Sequence, residues 1–407
     1  MNLFSQKFAI LSLSLLFSQS LSAQEKSLKF SFINSADQID QIKENNQIDA
    51  DSTYKLFSNW SAYPPVKATG KEYLYNYTDT LYGKIPLRIY IPASYQNTRK
   101  FPCVLMLHGA VGIGNFNDID SLNKFDPDVL FATLKKQDYI IVRPVADPSK
   151  KFDWVVNRFG GRNGNSPNLT FRALTNILIS LKKVLNIDDN KIFAFGHSDG
   201  SDGAIGLGVY NPDLFAGFVA YNSMLNGIFA RDFYIRNIIN SPLYLVHSDL
   251  DDLRPVQQTR VIVNELKKTG SNILYKEYIG YQHEDKHLNK DIPYVPRFIS
   301  SVSRNPFKTQ IFWETDKANL YNSCNWIKIS DIDTSAVNAP WHTLLNFKSY
   351  DKKAKQFTEK FPYYYRLNKS AAVKATFNNN IFSIEASGVS GIELLISPVM
   401  VTWRNLL

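Results

Sequence analysis

Between residues 72 and 279 the chain alternates short apolar runs with stretches of helical spacing, and this alternation constrains the fold more than any other feature. Residues 102–108 (PCVLMLH), Tyr139 to Val142, Ile192 to Phe195, Gly217 to Tyr221, Leu243 to Val246 and 273–279 read as strands. Residues 128–136, about 169–185, 200–209 and 256–268 read as the helices between them. In the second of these, Phe171, Leu174, Ile177, Leu178, Leu181, Val184 and Leu185 share one face. Continuous apolar strands alternating with helices belong in a mainly parallel sheet covered on both faces. A hairpin opens the series. Tyr73, Tyr75 and Tyr77 alternate, Tyr82-Gly83 marks a turn, and Leu87, Ile89 and Ile91 resume the period of two. The expected class is therefore α/β, and in such sheets function gathers beyond the carboxyl ends of the strands.

The residues just past each strand are therefore the place to look for chemistry. After Ile192–Phe195 comes Gly196-His197-Ser198-Asp199-Gly200, with a helix next. A G-x-S-x-G pentapeptide between strand and helix is the setting of a nucleophile elbow, in which a sharp turn exposes the serine above the sheet. Ser198 is the candidate nucleophile. A serine hydroxyl is a weak nucleophile and needs a neighbouring base.

The chain has six histidines. His108, His197 and His247 lie at strand ends within other motif positions, and His342 lies far along the chain. His283, in Gly280-Tyr281-Gln282-His283, comes directly after the last strand and is the candidate base, with His287 in reserve. The base needs an acid to orient its ring. After Leu243–Val246 comes His247-Ser248-Asp249-Leu250-Asp251-Asp252, in which three aspartates compete. The interval from this loop to His283 holds one helix and one strand, which returns the chain to the same edge of the sheet. Acyl transfer also needs donors for a developing oxyanion. The backbone N–H of Asp199, next after the nucleophile, is one candidate. The N–H of Ala110, in His108-Gly109-Ala110-Val111-Gly112, is the other. A phosphate cradle at Gly109, Gly112 and Gly114 lacks the Gly-Lys-Ser/Thr ending such a loop requires.

With these residues in place, the span from about 72 to 300 resembles the α/β-hydrolase superfamily. It is most similar to the exported esterase branch of polyhydroxybutyrate-depolymerase-like, feruloyl-esterase-like and dienelactone-hydrolase-like proteins. The matching pieces are IPASY at 91–95, LHGAVG at 107–112, GHSDG at 196–200, NPDLFAG at 211–217, HSDLDDLRPV at 247–256 and GYQH at 280–283. The resemblance implies an α/β-hydrolase fold, a Ser-His-Asp triad and an acyl-enzyme. It maps the acid onto Asp251 and the histidine onto His283. Two departures stand out: Ser248 replaces the usual glycine after His247, and Ser201 replaces a common second glycine after the elbow.

The expected division is a signal peptide at 1–23, an N-terminal arm at 24–66, the catalytic domain at 67–300 and a β-rich C-terminal domain at 301–407. Lys7, the apolar run from Phe8 to Phe17 and small residues ending at Ala23 set out an export signal too short to span a bilayer. The destination would be the periplasm or the exterior of a bacterial cell, with no stable membrane insertion. Removing Lys7 takes the formal charge from +9 to +8. The basic residues are scattered, which argues against a nucleic-acid partner. Cys103 sits in an apolar run that favours a buried free thiol, although an oxidising compartment would permit a bond to the distant Cys324. No clustered Cys/His pattern suggests a metal, and no cofactor is expected.

The expected substrate is a carboxylic ester, either a small molecule or an acyl group on a polysaccharide. Two alternatives are a prolyl-oligopeptidase-like peptidase, for which residues 24–70 are too few to form the usual propeller, and a non-catalytic carbohydrate-binding protein. The latter would use Trp313, Trp326, Trp341 and Trp403 as a sugar platform. Loops 109–124, 144–167 and 222–241 are the expected specificity elements. The chain ends soon after Trp403, so the last strand of the C-terminal appendage is expected to be missing or altered.

Overall fold

The computed structural model describes residues 51, 54, 55, 63–110, 128–155, 169–224, 233–284, 286–343, 345, 347–363 and 369–401. The expected signal segment, most of the expected arm, most of loop 109–124, parts of the other two loops expected to set specificity and Trp403 lie outside these residues.

Eight strands form the main sheet in the order β1-β2-β4-β3-β5-β6-β7-β8. They are β1 Lys71–Asp79, β2 Gly83–Ile91, β3 Phe101–Leu107, β4 Ile140–Pro144, β5 Ile187–His197, β6 Gly217–Tyr221, β7 Leu243–Ser248 and β8 Ile273–Tyr278. The β1–β2 hairpin is antiparallel, β2 meets β4 antiparallel, and every later pairing is parallel. Strand β5 begins five residues earlier than its apolar run, because the polar stretch Ile187-Asp188-Asp189-Asn190-Lys191 continues the extended chain.

The central strands are buried on both faces. Cys103, Leu105 and Leu107 of β3 face one apolar cluster, while Val104 and Met106 face another. Ala194, Ala220 and Leu245 join the first, and Phe195, Val219 and Val246 join the second. Helices α1 Asp128–Leu134, α2 Thr170–Lys182, α3 Asp199–Tyr210, α4 Val256–Lys268, α5 His287–Asp291 and α6 Val295–Ser301 cover the sheet. Leu174 and Ile177 of α2, Ile205 of α3 and Ile262 of α4 fill the first cluster. Leu130 of α1, Leu288 of α5 and Val295 and Phe298 of α6 fill the second. Each fully buried Leu or Phe contributes about 1.5–3 kcal/mol over an exposed one, so two-sided burial fixes the order of the layers.

The C-terminal region has its own apolar cluster around Trp313, Trp326, Ile327, Ile329 and Val373. Its strands are β9 Gln310–Thr315, β10 Ser323–Cys324, β11 Ile327–Ile332, β12 Phe347–Asp351, β13 Gln356–Tyr363, β14 Ala371–Asn378, β15 Ile381–Ser387 and β16 Val389–Leu394. They pair as β10-β11-β16, β12-β13 and β15-β14-β9. Side-chain amides tie this region to the main sheet's elements. The carboxamide of Asn237 meets the backbone of Glu314 in both directions, at 2.8 and 2.9 Å. Asn240 does the same to Phe312, at 2.6 and 3.2 Å. Each amide thus stands in for a strand residue along the edge of β9. Gln258 of α4 plays the same part for β12, accepting from Tyr350 N at 2.9 Å.

Candidate active site

The elbow lies where β5 gives way to α3. Ser198 has φ 57° and ψ −125°, a backbone conformation that L-residues rarely adopt. Several contacts hold it there. Ser198 N donates to Tyr221 O at 2.9 Å, and Ser198 O accepts from Ser201 N at 2.9 Å and from Ser201 Oγ at 2.6 Å. The hydroxyl that replaced the expected glycine at 201 thus braces the turn. Gly196 and Gly200 are dictated by space: a Cβ on Gly196 would meet Gly200 C at 2.1 Å, and one on Gly200 would meet Leu107 O at 2.0 Å.

His283 stands between a hydroxyl and a carboxylate. Its Nε2 lies 2.9 Å from Ser198 Oγ, and its Nδ1 lies 2.7 Å from Asp251 Oδ2. The carboxylate fixes the tautomer: Nδ1–H donates to Asp251, which leaves Nε2 to accept from the serine. All three residues are buried, with Ser198 9% exposed. Among the three aspartates of the loop, the structure thus brings Asp251 to the histidine. Asp249 Oδ1 instead accepts from Gly280 N at 2.6 Å, and Asp252 is exposed.

Asp251 is surrounded by donors. Asn222 Nδ2 donates to Oδ2 at 2.7 Å, while Leu253 N and Arg254 N donate to Oδ1 at 3.0 and 2.8 Å. Burial favours the neutral acid, but the hydrogen bonds from His283, Asn222 and Arg254 N outweigh it and hold the carboxyl at about 2.

Asn222, at the end of β6 with φ 53°, carries no sequence motif that singles it out. Its Nδ2 also lies 2.6 Å from Ser248 Oγ, and its Oδ1 accepts from His287 Nε2 at 2.9 Å. Ser248 Oγ in turn donates to Gln282 O at 2.8 Å, beside His283. The departure from glycine at 248 therefore joins the acid loop to the histidine loop. The reserve histidine, His287, contacts Asn222.

Two more histidines hold the backbone of the site. His197 Nε2 donates to His283 O at 3.1 Å, and His247 Nε2 donates to Arg254 O at 2.7 Å. Burial pushes His197 down to about 3 and His247 to about 4, so both are neutral. The Arg254 side chain reaches the first turn of α3. Its Nη1 donates to Asp202 Oδ2 at 2.7 Å and its Nη2 pairs with Asp199. Asp202 Oδ1 also accepts from Ser223 Oγ and from Met224 N, both at 2.7 Å.

His108 organises the loop after β3. Its Nε2 accepts from Ala146 N at 3.0 Å, so its Nδ1–H donates to Gly109 O at 2.7 Å. Because a trans peptide is planar, the Ala110 N–H then points away from the His108 ring. Ala110 itself is exposed, and Leu107–His108 pass directly against Gly200 at the start of α3. Asp199, the other candidate donor, is the first residue of α3, where amides lack intrahelical acceptors.

The two cysteines are buried and free, and burial raises the thiol of Cys103 to about 12. Among the described residues, no group of three His, Cys, Asp or Glu is placed to hold a metal, and no helix is long and apolar enough to cross a membrane. Among the described residues, the tryptophans named for the alternative sugar platform do not form one. Trp313, on an inward position of β9, and Trp326, in the turn between β10 and β11, are fully buried in the C-terminal cluster, and Trp341 is half-buried against Phe312 and Lys374.

The strand order, the antiparallel β2 and the strained serine between β5 and α3 define the α/β-hydrolase fold. Among solved structures the chain is similar to a thermostable esterase at 24% identity and a TM-score of 0.48. That match covers 57% of this chain and 63% of the esterase, less than two thirds of its length. It is also similar to an S-formylglutathione hydrolase from Agrobacterium tumefaciens, at 13% identity, 56% and 94% coverage and a TM-score of 0.44. A poly(3-hydroxybutyrate) depolymerase from Bordetella parapertussis matches at 14% identity, 58% and 91% coverage and a TM-score of 0.45. No protein-family model matches the chain, and no curated protein matches it.

Proposed function

We propose that this protein is an exported serine hydrolase that cleaves carboxylic esters through an acyl-enzyme. One observation carries the reading: Ser198 Oγ, the His283 ring and the Asp251 carboxylate stand in a hydrogen-bonded line, at 2.9 and 2.7 Å, above a strained turn. A line of this kind lets the imidazole take the serine proton while the carboxylate stabilises the imidazolium.

In the proposed cycle His283 Nε2 removes the proton from Ser198 Oγ as that oxygen attacks the ester carbonyl. The N–H groups of Asp199 and Ala110 receive the oxyanion. The tetrahedral intermediate collapses, His283 gives its proton to the leaving alcohol, and an acyl-serine remains. Water, deprotonated by His283, then attacks that acyl group, and the acid is released as Ser198 recovers its proton. Every proton and electron pair in this sequence is supplied by the three side chains, the ester and water. The substrate is a small ester or an acyl group carried on a polysaccharide.

The reading is tested with a serine-reactive fluorophosphonate and a substrate panel of acetyl, feruloyl, short-chain and long-chain esters, with proline peptides included. The expected result is one adduct on Ser198 and turnover of esters. Absence of an adduct, or cleavage of the peptides alone, overturns it.

A further inference from the structure

Arg254 belongs to the acid loop by its backbone and to the nucleophile helix by its side chain. Its N–H donates to Asp251 Oδ1 at 2.8 Å, and its carbonyl accepts from His247 Nε2 at 2.7 Å. Its guanidinium crosses to the first turn of α3, where one nitrogen meets Asp202 at 2.7 Å and the other pairs with Asp199. Asp202 also accepts from Ser223 and Met224, so the same contact reaches the segment that leaves β6. One buried side chain therefore ties together the segments beyond β5, β6 and β7.

We infer that Arg254 is a positioning residue: it fixes the peptide of Asp199, and with it Ser198, relative to the Asp251 carboxylate. The inference rests on the serine-hydrolase reading and assigns a role to a residue outside the Ser198–His283–Asp251 line. Stability alone is a poor reason to keep this cluster. Three charged groups lose their hydration, and buried ion pairs of this kind often contribute no more than apolar side chains of similar volume. Placement is a better reason. A guanidinium is a planar fork that can hold two carboxylates in a fixed relation, whereas an ammonium is a point donor on a flexible stem. Asp199 is the next residue after the nucleophile, and its amide is a proposed oxyanion donor. A drift of its peptide would move the nucleophile and the donor together.

The test compares Arg254→Lys, Arg254→Met, Asp199→Asn and the double variant Arg254→Lys/Asp199→Asn on a small activated ester. Arg254→Lys keeps the charge but loses the fork. Its kcat is expected to fall about a hundredfold, the usual cost of a misplacement near 1 Å, with KM almost unchanged. Asp199→Asn should lower kcat by a similar factor. The double variant should be no worse than either single one, because both break the same contact. A readout independent of turnover is the low-field proton resonance of His283 Nδ1–H, which should shift in Arg254→Lys. Wild-type kcat and an unshifted resonance in Arg254→Lys, with only the melting temperature lowered, would overturn the inference. Should the wild-type protein hydrolyse no ester in the panel, the proposed function falls, while the resonance comparison still decides the role of Arg254.

Discussion

Among the described residues, serine, histidine and carboxylate meet both at the rim of the main sheet and in the C-terminal region. At the rim, Ser198 Oγ, His283 and Asp251 form a line. In the C-terminal region, Ser387 Oγ lies 2.9 Å from His342 Nδ1, and His342 Nε2 lies 2.9 Å from Glu314 Oε1. Ser370 Oγ donates to the same Glu314 oxygen at 2.7 Å. By residue type and distance the two clusters look alike, and all members of both are buried. The backbone separates them. Ser387 ends a regular strand, pairs with Ala372 across the sheet, and accepts from Ala339 N at 2.9 Å. Ser198 occupies a strained turn and opens directly into a helix whose first amides face outward along its axis. The two clusters share composition and spacing, and what differs is the backbone: only Ser198 stands at a strained strand-to-helix turn, next to the free amides that open α3.

The sharpest way to break this comparison is to remove each serine in turn. Ser198→Ala is expected to lower kcat on a simple ester by about five to six orders of magnitude, as in serine triads generally. Ser387→Ala should leave kcat unchanged. Steady-state kinetics on the three purified proteins decides it. A loss of activity in Ser387→Ala, or its survival in Ser198→Ala, would exchange the roles assigned to the two clusters.

The same contrast explains what could be read from the sequence. The rim was legible because each of its main parts follows a strand of the sheet: Ser198 after the buried β5, the aspartates after the buried β7 and His283 after the half-buried β8. The choice of Asp251 over Asp249 and Asp252 was not legible from spacing. It depends on a turn in which Oδ1 caps Leu253 N and Arg254 N, so that Oδ2 is left for the histidine. Asn222, Asp202 and Arg254 were missed because the partners of their side chains lie 21 to 65 positions away, beyond any local pattern. A polar residue abutting the apolar run Gly217–Tyr221 at the active edge was the one available signal for Asn222. In the C-terminal region the β12–β13 hairpin escaped notice. Its strands, FKSYD and QFTEKFPY, carry polar residues throughout and lack a clean apolar alternation. The burial of Trp313 and Trp326 agrees with the ordinary place of scattered tryptophans in cores, and leaves the sugar-platform alternative without them.

A smaller effect sharpens the comparison from the side of pH. At the rim, burial holds His197 at about 3 and His247 at about 4, well below the unfolded value of about 6.5. The unfolded chain therefore binds more protons below that value, and acid favours unfolding. Stability should be fully present above about pH 6.5 and decline as pH falls toward about 4, by up to about 1.4 kcal/mol per pH unit for each histidine. Asp251 is held near 2, so its own contribution is lost only below the unfolded carboxyl value of about 3.9. Urea midpoints across the range from about pH 8 to about pH 5 test the two histidines before the carboxylate enters. His247→Gln should roughly halve the slope, and a flat midpoint would show that these rings are not buried neutral.

The smallest expected effect concerns Ser248, where the resemblance leads one to expect glycine. Its hydroxyl accepts from Asn222 and donates to Gln282 O, and so bridges the acid loop and the loop that carries His283. Ser248→Gly removes both hydrogen bonds. It should cost about 1–2 kcal/mol of stability, near the net worth of two such bonds. Asn222 keeps its bond to Asp251, so the carboxylate should stay in place while the His283 loop loosens. The expected kinetic result is therefore a modest fall in kcat with KM unchanged, far milder than any change to Ser198. At the C-terminal cluster the extra serine, Ser370, donates to the carboxylate of Glu314 and lies 3.4 Å from His342 Nε2. Equal stability and equal kcat in Ser248→Gly would mean that the hydroxyl contributes nothing to the alignment of the rim, which would then rest on Asn222 and the backbone.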